Sequence, residues 1–254
     1  MANAKFKRRS EIVRIVREKK QMSCVELSKT FGVTEETIRK DLQELSEKGE
    51  LLRTFGGAMV REYGTERSLD QRIIQNLEQK KRIAQKAVST LKSGDLVAMD
   101  AGSTVTMMAK AIPDHLKITV LTNSLEICNI LSEKENVTVI CTGGKLHKKS
   151  MSLQGMLTES TINSLNAEKA FISCAAFDIK LGVMDSNEEA ARTKQSMIRN
   201  AREVYLLMDS SKIGCIAYIT TCPASSITKV VTDNGAAAEA VKKMEDLGIE
   251  MILA

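Results

Sequence analysis

Apolar residues at the start of the chain repeat with helical spacing. Ile12, Val13 and Val16 share one face and predict a helix over about residues 8–19. A second, short helix is predicted after Ser23, because Ser23 and Glu26 have the spacing of a capping box. Gly32 suits the left-handed turn at the end of that helix.

A third helix is predicted after Thr34, which is placed to cap its first turn, and ends at Gly49. Its residues Ile38, Leu42 and Leu45 fall at i, i+4 and i+7 and form one buried stripe. Two helices joined by a tight turn that contains glycine are typical of a helix-turn-helix.

Two short extended segments follow the third helix, at 51–55 and 58–60, around Gly56 and Gly57. Such segments on either side of a Gly-Gly pair predict a hairpin. A hairpin directly after a recognition helix is a wing, so residues 1–60 are predicted to form a winged helix-turn-helix domain. Residues 61–75 are polar, lack a clear period and are predicted to be a linker.

Extended and helical patterns alternate over residues 76–254, and the first helix of this region contains Ile83, Ala87 and Leu91. Predicted strands are Leu96–Asp100, Ile118–Thr122, Val137–Gly143, Ala170–Ala175, Val204–Asp209, Val230–Asp233 and Ile249–Leu253. Predicted helices lie near 104–112, 124–132, 188–203 and 236–247. Continuous apolar strands between helices predict an α/β domain with a mainly parallel sheet covered on both faces.

Positive charge is concentrated in the predicted helix-turn-helix. The chain of 254 residues has a net charge of +5, and its first 60 residues contain 13 basic and 9 acidic side chains. A small basic module joined to a nearly neutral body indicates binding to a polyanion, although a solubilising surface would have the same charge.

Other classes of protein are disfavoured by composition. No stretch approaches the ~20 apolar residues of a membrane span, and the basic N-terminus lacks the apolar segment of a secretory signal. We therefore expect a cytoplasmic protein without membrane association. Six cysteines without a Cys-x-x-Cys pair and only two histidines give no metal site, and we predict no cofactor.

The outward face of the predicted third helix carries side chains that can contact base edges and phosphates in the major groove of double-stranded DNA. These are Glu36, Thr37, Arg39, Lys40 and Gln43. Arg53 and Thr54 on the wing are expected to contact the adjacent groove or backbone, and the basic cluster at 5–9 is expected to neutralise further phosphates. Outside a helix-turn-helix, the same pattern of side chains would indicate only a solvent-exposed helix face.

Polar residues follow four of the predicted strands, where ligands of parallel sheets bind. They are Asp100, Gly102, Ser103 and Thr104; Thr122, Asn123 and Ser124; Gly143, Gly144 and Lys145; and Asp209, Ser211 and Lys212. Helix N-terminal amides, hydroxyls and lysines at one sheet edge predict a site for a small phosphorylated ligand. A single loop of this kind is weak evidence for a ligand site, because Ser, Thr and Asp are also common helix caps.

Further polar residues could complete this site through contacts to hydroxyl groups. They are Lys169, Asp178, Asp185, Glu188, Glu189 and Lys194. Glu188 and Glu189 could equally be acids at the start of a helix, favoured by its dipole, with Lys194 paired at the surface.

The run from Val33 to Leu42, with Gly49 and the Phe55–Ala58 segment, resembles the DNA-binding domain of DeoR-type repressors. The polar motifs at the strand ends, together with Glu188, Glu189 and Lys194, resemble the sensor domain of the same family. The resemblance covers nearly the whole chain.

This resemblance implies an oligomeric repressor, a dimer or tetramer, of a carbohydrate catabolic operon. A phosphorylated sugar or sugar derivative would release it from its operator. The implied fold of the sensor domain is that of ribose-5-phosphate isomerases and CoA transferases. Where the family usually has glycines, this chain reads Ser173 to Asp178, so the effector could differ in size or hydroxyl pattern.

Two alternatives share these sequence features. A sugar-phosphate isomerase would need a base beside a substrate carbon, for which Asp100, Asp178, Glu188 and Lys194 are candidates. A regulator that activates, or that requires its ligand as co-repressor, would have the same motifs. Because fold does not determine function, we predict a regulator without catalytic activity.

Overall fold

The computed structural model describes residues 2–19, 21–47, 50–54, 56–60 and 67–254. The chain divides into two compact units, Met1–Tyr63 and Gly64–Ala254. Each unit is described by itself below.

Three helices and a small antiparallel sheet form the first unit. The helices are α1 (Ala2–Lys19), α2 (Cys24–Phe31) and α3 (Glu35–Glu47), and the strands are β1 (Gln21–Ser23), β2 (Leu51–Thr54) and β3 (Gly57–Val60). The strand order is β1-β3-β2, so a third strand, β1, extends the predicted β2-β3 hairpin. The sequence did not predict β1, because its three residues are too few to show a strand pattern. The predicted winged helix-turn-helix fold is confirmed.

Local signals in the sequence set the ends of α2 and the path of the wing. Ser23 and Glu26 form the reciprocal capping box, and Gly32 ends α2 at a φ of 62°. Gly57 is required for a different reason, because a Cβ atom there would lie 2.0 Å from the carbonyl oxygen of Met22. Glycine therefore lets β3 approach β1 closely enough to pair.

Buried charge joins α1 to α3. The carboxylate of Asp41 is 1% exposed and accepts hydrogen bonds from Arg8 Nε at 2.6 Å and Arg9 Nε at 2.7 Å. Lys5 pairs with Glu44 at 3.0 Å, and Arg9 also donates to Glu44, a bond that lowers the pKa of Glu44 to about 2. In this structure Lys5, Arg8 and Arg9 neutralise acids of α3, which differs from the expected phosphate contacts of this cluster.

A seven-stranded parallel sheet forms the centre of the second unit, with the strand order β15-β14-β12-β9-β4-β5-β6. Its strands are β4 (Leu96–Met99), β5 (Ile118–Thr122), β6 (Val137–Cys141), β9 (Ala167–Ile172), β12 (Ala201–Leu207), β14 (Lys229–Thr232) and β15 (Glu250–Leu253). The predicted class, α/β with a mainly parallel sheet, is confirmed.

Helices cover both faces of this sheet. They are α4 (Leu69–Ile74), α5 (Leu77–Val88), α6 (Ser103–Ala111), α7 (Leu125–Ser132), α8 (Met156–Asn163), α9 (Glu188–Arg199) and α10 (Ala238–Glu245). Successive strand residues enter different cores: Val97 and Met99 pack with α5 and α6, whereas Ala98 packs in a second core with Met197 of α9. Two-sided burial explains the uninterrupted apolar runs.

Short strands add two smaller sheets to the second unit. β10 (Ala176–Asp178), β11 (Gly182–Asp185) and β13 (Ile219–Cys222) form an antiparallel sheet, and β7 (Lys145–His147) pairs with β8 (Ser152–Gln154). The segment expected to be a linker, 61–75, contains α4, which begins at a capping box of Ser68 and Gln71. Residues 61–66 of that segment lie outside the described residues. No helix in the described part of the chain is long and apolar enough to cross a membrane.

Asp41→Asn is expected to destabilise the first unit by about 3–5 kcal/mol, because it removes the carboxylate that Arg8 pairs with and leaves the buried Arg9 paired with Glu44 alone. Hydrogen exchange of α1 and α3 amides in the full-length protein would measure this loss. Glu11→Gln is the matched control, since Glu11 pairs with Arg14 at the surface and its loss should cost less than about 1 kcal/mol. Equal protection in both variants would show that the Asp41 cluster does not hold α1 to α3.

Candidate functional site

The exposed face of α3 displays a mixed set of polar side chains. The side chains of Glu36 and Lys40 are 66% and 74% exposed, and Lys40 Nζ lies 3.7 Å from Glu36 Oε1. Arg39 Nη2 lies 3.1 Å from Glu35 Oε2. Surface ion pairs of this i,i+4 type contribute little, so the cations are available to other acceptors. Ile38 and Leu42 fill the core from the opposite face and fix this orientation.

The wing contacts α3 through a side-chain hydrogen bond. Arg53 on β2 donates from Nη1 to Oε1 of Gln43 at 2.9 Å, and both residues are exposed. Thr37 is half-buried, and its hydroxyl lies 3.0 Å from that of the capping residue Thr34. Thr54 ends β2, and its side chain lies outside the described residues.

The predicted effector residues follow strands that lie side by side. Because β12, β9, β4, β5 and β6 are consecutive and parallel, their carboxyl ends meet at one edge of the sheet. Asp100 follows β4, Asn123 follows β5 and Thr142 follows β6, and all three are buried. The strand-end motifs thus line one edge, as ligand sites of parallel sheets do.

A buried ion cluster lies at the centre of this edge. The Nζ atom of Lys194 on α9 is 2.6 Å from Oδ1 of Asp185 and 3.5 Å from Oδ2 of Asp100. Thr221 donates its hydroxyl to the other oxygen of Asp185 at 2.7 Å. Burial alone would lower the pKa of Lys194, but the two carboxylates outweigh it and raise that pKa, so the ammonium stays charged.

Ser173 occupies the space next to this cluster. Its backbone N–H and its hydroxyl both donate to Oδ2 of Asp100, at 3.2 and 3.0 Å. A Cβ atom at Gly102 would lie 2.0 Å from Oγ of Ser173. The side chain of Ser173 therefore both narrows the edge and uses one acceptor of Asp100.

Several buried polar atoms at this edge have no partner among the described residues. They are Thr104 Oγ1, Asn123 Oδ1, Thr142 Oγ1 and Gln154 Oε1. The other polar groups of this region are used internally: Asn123 Nδ2 donates to Leu153 O at 2.9 Å, and Ser124 Oγ caps α7. Buried polar groups without partners are rare in proteins, so these atoms favour a ligand with hydroxyl or phosphate oxygens.

The loop after β12 contacts the turn between α4 and α5. Asn76 donates from Nδ2 to Asp209 Oδ1 at 2.9 Å and to Ser211 Oγ at 3.2 Å. Lys212 crosses to the loop after β9 and donates to the carbonyl oxygen of Cys174 at 2.5 Å. This loop therefore belongs to the same sheet edge as Ser173.

Some predicted residues are placed away from the ion cluster or serve local structure. Asp178 accepts from the backbone N–H groups of residues 180 and 181 and closes a turn. Glu188 is exposed and pairs with Arg192, and Lys145 is exposed and lies 3.7 Å from Glu189. Lys169 pairs with Asp95 at the amino end of the parallel strands, so it lies at the opposite edge of the sheet.

Comparison with known proteins assigns both units. Residues 8–63 match a family model described as the DeoR-like helix-turn-helix domain, and residues 75–234 match the DeoR C terminal sensor domain. The chain belongs to the DeoR family. It is therefore a helix-turn-helix transcriptional regulator and not an enzyme.

Curated relatives span almost the whole length of the chain. An uncharacterised HTH-type transcriptional regulator of Bacillus subtilis (strain 168) is 39% identical over 245 residues, which cover 96% of this chain and 95% of the relative. The glycerol-3-phosphate regulon repressor of Escherichia coli (strain K12) is 28% identical, with 97% and 98% covered. The lactose phosphotransferase system repressor of Staphylococcus epidermidis is 32% identical, with 91% and 92% covered.

Solved structures similar to this DeoR-family chain include two groups of proteins. Ribose 5-phosphate isomerase A of Methanocaldococcus jannaschii has a TM-score of 0.42 at 16% identity and covers 55% of each chain. The eIF2B delta subunit of Chaetomium thermophilum has a TM-score of 0.47 at 14% identity, covering 63% of this chain and 58% of that one.

The functional positions that sequence reasoning left out depend on tertiary contacts. Thr221 completes the hydrogen bonds of Asp185, and Asn76 reaches Asp209 across 133 positions of the chain. No local pattern marks such residues. Within the described ranges no group of three or more His, Cys, Asp or Glu side chains could hold a metal ion.

Gly102→Ala is expected to destabilise the second unit by about 1–3 kcal/mol, because the new Cβ overlaps Ser173. Adding Ser173→Gly should recover part of this loss, with a coupling energy of at least about 0.5 kcal/mol in a double-mutant cycle from urea unfolding. Gly143→Ala is the control, since a Cβ there meets its nearest atom at 3.7 Å. Strictly additive effects would show that Ser173 does not restrict the space at Gly102.

Proposed function

We propose that this DeoR-family chain is a repressor of a carbohydrate operon that a phosphorylated sugar or sugar derivative releases from double-stranded operator DNA. The observation that carries the proposal is the set of unpartnered buried polar atoms along one edge of the parallel sheet, next to the N-termini of α6 and α7. Helix N-terminal amides attract anions, and orphaned hydroxyl and amide groups suit a polyhydroxy ligand.

The names of relatives support the carbohydrate part of the proposal. One relative is a repressor of a glycerol-3-phosphate regulon, and another represses a lactose phosphotransferase system. The ligand-side residues of this proposal are the predicted ones at the sheet edge: Asp100, Gly102, Ser103, Thr104, Thr122, Asn123, Ser124, Gly143, Gly144, Lys194, Ser211 and Lys212. A homodimer or tetramer that reads two half-sites is part of the proposal.

Operator contacts are proposed for the exposed side chains of α3 and the wing. Arg39 and Lys40 lie on the outer face of α3, opposite its buried stripe, and Arg53 extends the same polar surface from β2. An arginine can grip guanine in the major groove through two hydrogen bonds, and a lysine on this face would hold a phosphate.

Effector release can be tested with DNA selected by the full-length protein from a random library. A panel of pentose, hexose, amino-sugar and sugar-acid phosphates, each with its unphosphorylated parent, is added to the complex, and bound DNA is followed by fluorescence anisotropy. We expect one phosphate to weaken DNA binding at least about tenfold, a coupling of about 1.4 kcal/mol, while its parent does not. DNA binding that no phosphate weakens, or that a phosphate strengthens, would contradict this proposal.

Arg39→Ala and Arg53→Ala are each expected to lower operator affinity by about 1–3 kcal/mol. Lys40→Ala should weaken binding to all DNA sequences alike. It should also reduce the salt dependence of the binding constant, because about one counterion fewer is released on binding. Arg14→Ala is the matched control, because Arg14 is exposed on α1 and pairs with Glu11 and Glu18 of its own helix. Affinity losses that are equal for Arg14 and Arg39 would indicate a general charge effect rather than an α3 interface.

A further inference from the structure

Two cysteines lie beside each other at an outer strand of the parallel sheet. Cys128 is on α7, and Cys141 is the last residue of β6, the strand that ends the sheet next to β5. Cys141 is exposed, Cys128 is half-buried, and both are free thiols. The proposed effector site uses neither of them.

The alternation of side chains along β6 directs Cys141 toward α7. Val139 lies two residues earlier and packs against the core that contains Ile127 and Leu131 of α7. Ile140 packs against the second core, on the other face of the sheet. Because successive side chains of a strand point to opposite faces, Cys141 lies on the face that α7 covers. Helix α7 also packs directly against β6.

The two thiols are neighbours with different environments. Burial raises the pKa of Cys128 to about 12, and side-chain hydrogen bonding to Cys141 adds to this shift. Cys128 therefore stays protonated at neutral pH and can donate to the sulfur of Cys141. The sulfur of Cys141 lies 3.7 Å from the carbonyl oxygen of Thr142 at an exposed position. Oxidation of thiols follows exposure and thiolate character, so of these two Cys141 reacts first.

Both cysteines are close to loops of the proposed effector site. Thr142 follows Cys141 directly, and its Oγ1 atom is buried without a partner among the described residues. The backbone N–H of Cys128 donates to the carbonyl oxygen of Ser124, the residue that caps α7 after the end of β5. A covalent bond between α7 and β6 would therefore act on two of the loops at this sheet edge.

We propose that Cys128 and Cys141 form a peroxide-sensitive dithiol, whose oxidation to a disulfide lowers the affinity of the sheet edge for its effector. Formation of the bond stands on the position of the two thiols, whereas its effect on the effector rests on the proposed function. A disulfide holds two Cβ atoms about 3.5–4.5 Å apart, so it fixes α7 against the end of β6. An edge fixed in this way can no longer adjust Thr142 and Ser124 to a ligand.

Hydrogen peroxide is the oxidant of this reaction. The deprotonated sulfur of Cys141 attacks one peroxide oxygen, the O–O bond breaks, and the second oxygen takes up the thiol proton and leaves as water. The sulfur of Cys128 then attacks that of the resulting sulfenic acid. An S–S bond forms as the S–O bond breaks, and the proton of Cys128 leaves with the hydroxyl group as a second water. Two thiols are oxidised, and one peroxide is reduced to two waters.

The test treats the reduced full-length protein with hydrogen peroxide and maps its thiols by differential alkylation and mass spectrometry. Trypsin cuts after Lys117, Lys134 and Lys145, so the two cysteines fall in separate peptides. We expect these two peptides to become joined, with the loss of two hydrogen atoms, and to separate again in dithiothreitol. Peptides joined instead through Cys141 of two chains, or a pair of thiols that peroxide leaves unchanged, would overturn the proposal.

Matched variants separate this pair from general oxidation of the protein. Cys141→Ser should abolish the joined peptide, and Cys128→Ser should leave a sulfenic acid on Cys141 that dimedone traps. Cys215→Ser is the control, because Cys215 is a half-buried thiol of the same unit. Its sulfur donates to the carbonyl oxygen of Ser211 at 3.0 Å, a bond that serine can keep. This control should form the joined peptide as wild type does, and its failure to do so would contradict a pair made by Cys128 and Cys141 alone.

The effect on ligand binding is measured with the sugar phosphate that releases DNA. Oxidised wild type should bind it at least about fivefold more weakly than reduced wild type, whereas peroxide should not change the affinity of Cys141→Ser. Affinities of oxidised and reduced wild type that agree within about twofold would overturn the regulatory part, even where the disulfide forms.

A different readout keeps this inference separate from the proposed function. If no sugar phosphate releases DNA, the effector proposal fails, and hydrogen exchange of the backbone amides at 142–144 decides whether the disulfide acts on the sheet edge. Exchange that oxidation alters in wild type but not in Cys141→Ser would support that action. Exchange that oxidation leaves unchanged would overturn it.

Discussion

The buried ammonium of Lys194 is the interaction on which the arrangement of the second unit depends. A charge in the interior is tolerated only beside opposite charge, so Asp100 and Asp185 must both come within reach. Asp100 follows a strand of the parallel sheet, and Asp185 ends a strand of the small antiparallel sheet. One cation on α9 thus fixes two sheets relative to each other, and hydrogen bonds from Ser173 and Thr221 orient the two carboxylates.

The first unit uses the same constraint with the signs reversed. The buried carboxylate of Asp41 holds two arginines of α1 against α3, so part of the positive charge counted in the first 60 residues serves the fold and not DNA. The outer face of α3 and the wing, where Arg39 and Arg53 are exposed, are available to a polyanion. Charge composition therefore predicts the class of partner, whereas burial decides which cations face it.

Hydrophobic periodicity was sufficient to predict all seven strands of the parallel sheet, because burial on both faces makes each of them an apolar run. It missed strands of three residues such as Ala176–Asp178 and Lys145–His147, which are too short to show alternation. The strand-end rule named Asp100 and Asn123, and the structure places both at the same edge of the sheet. It could not supply Thr221 or Asn76, whose roles come from contacts between residues far apart in the chain.

Ser173 limits the space in the proposed effector site. Its backbone N–H and its hydroxyl both donate to Asp100, and a Cβ atom at Gly102 would lie 2.0 Å from its Oγ. The unpartnered oxygens of Asn123 and Thr142 lie at the same edge of the sheet, and leaving such buried groups unpaired costs about 1–3 kcal/mol each. A ligand of the proposed kind therefore gains most where its hydroxyl groups reach these oxygens, whereas Ser173 limits how bulky its carbon skeleton can be beside Asp100.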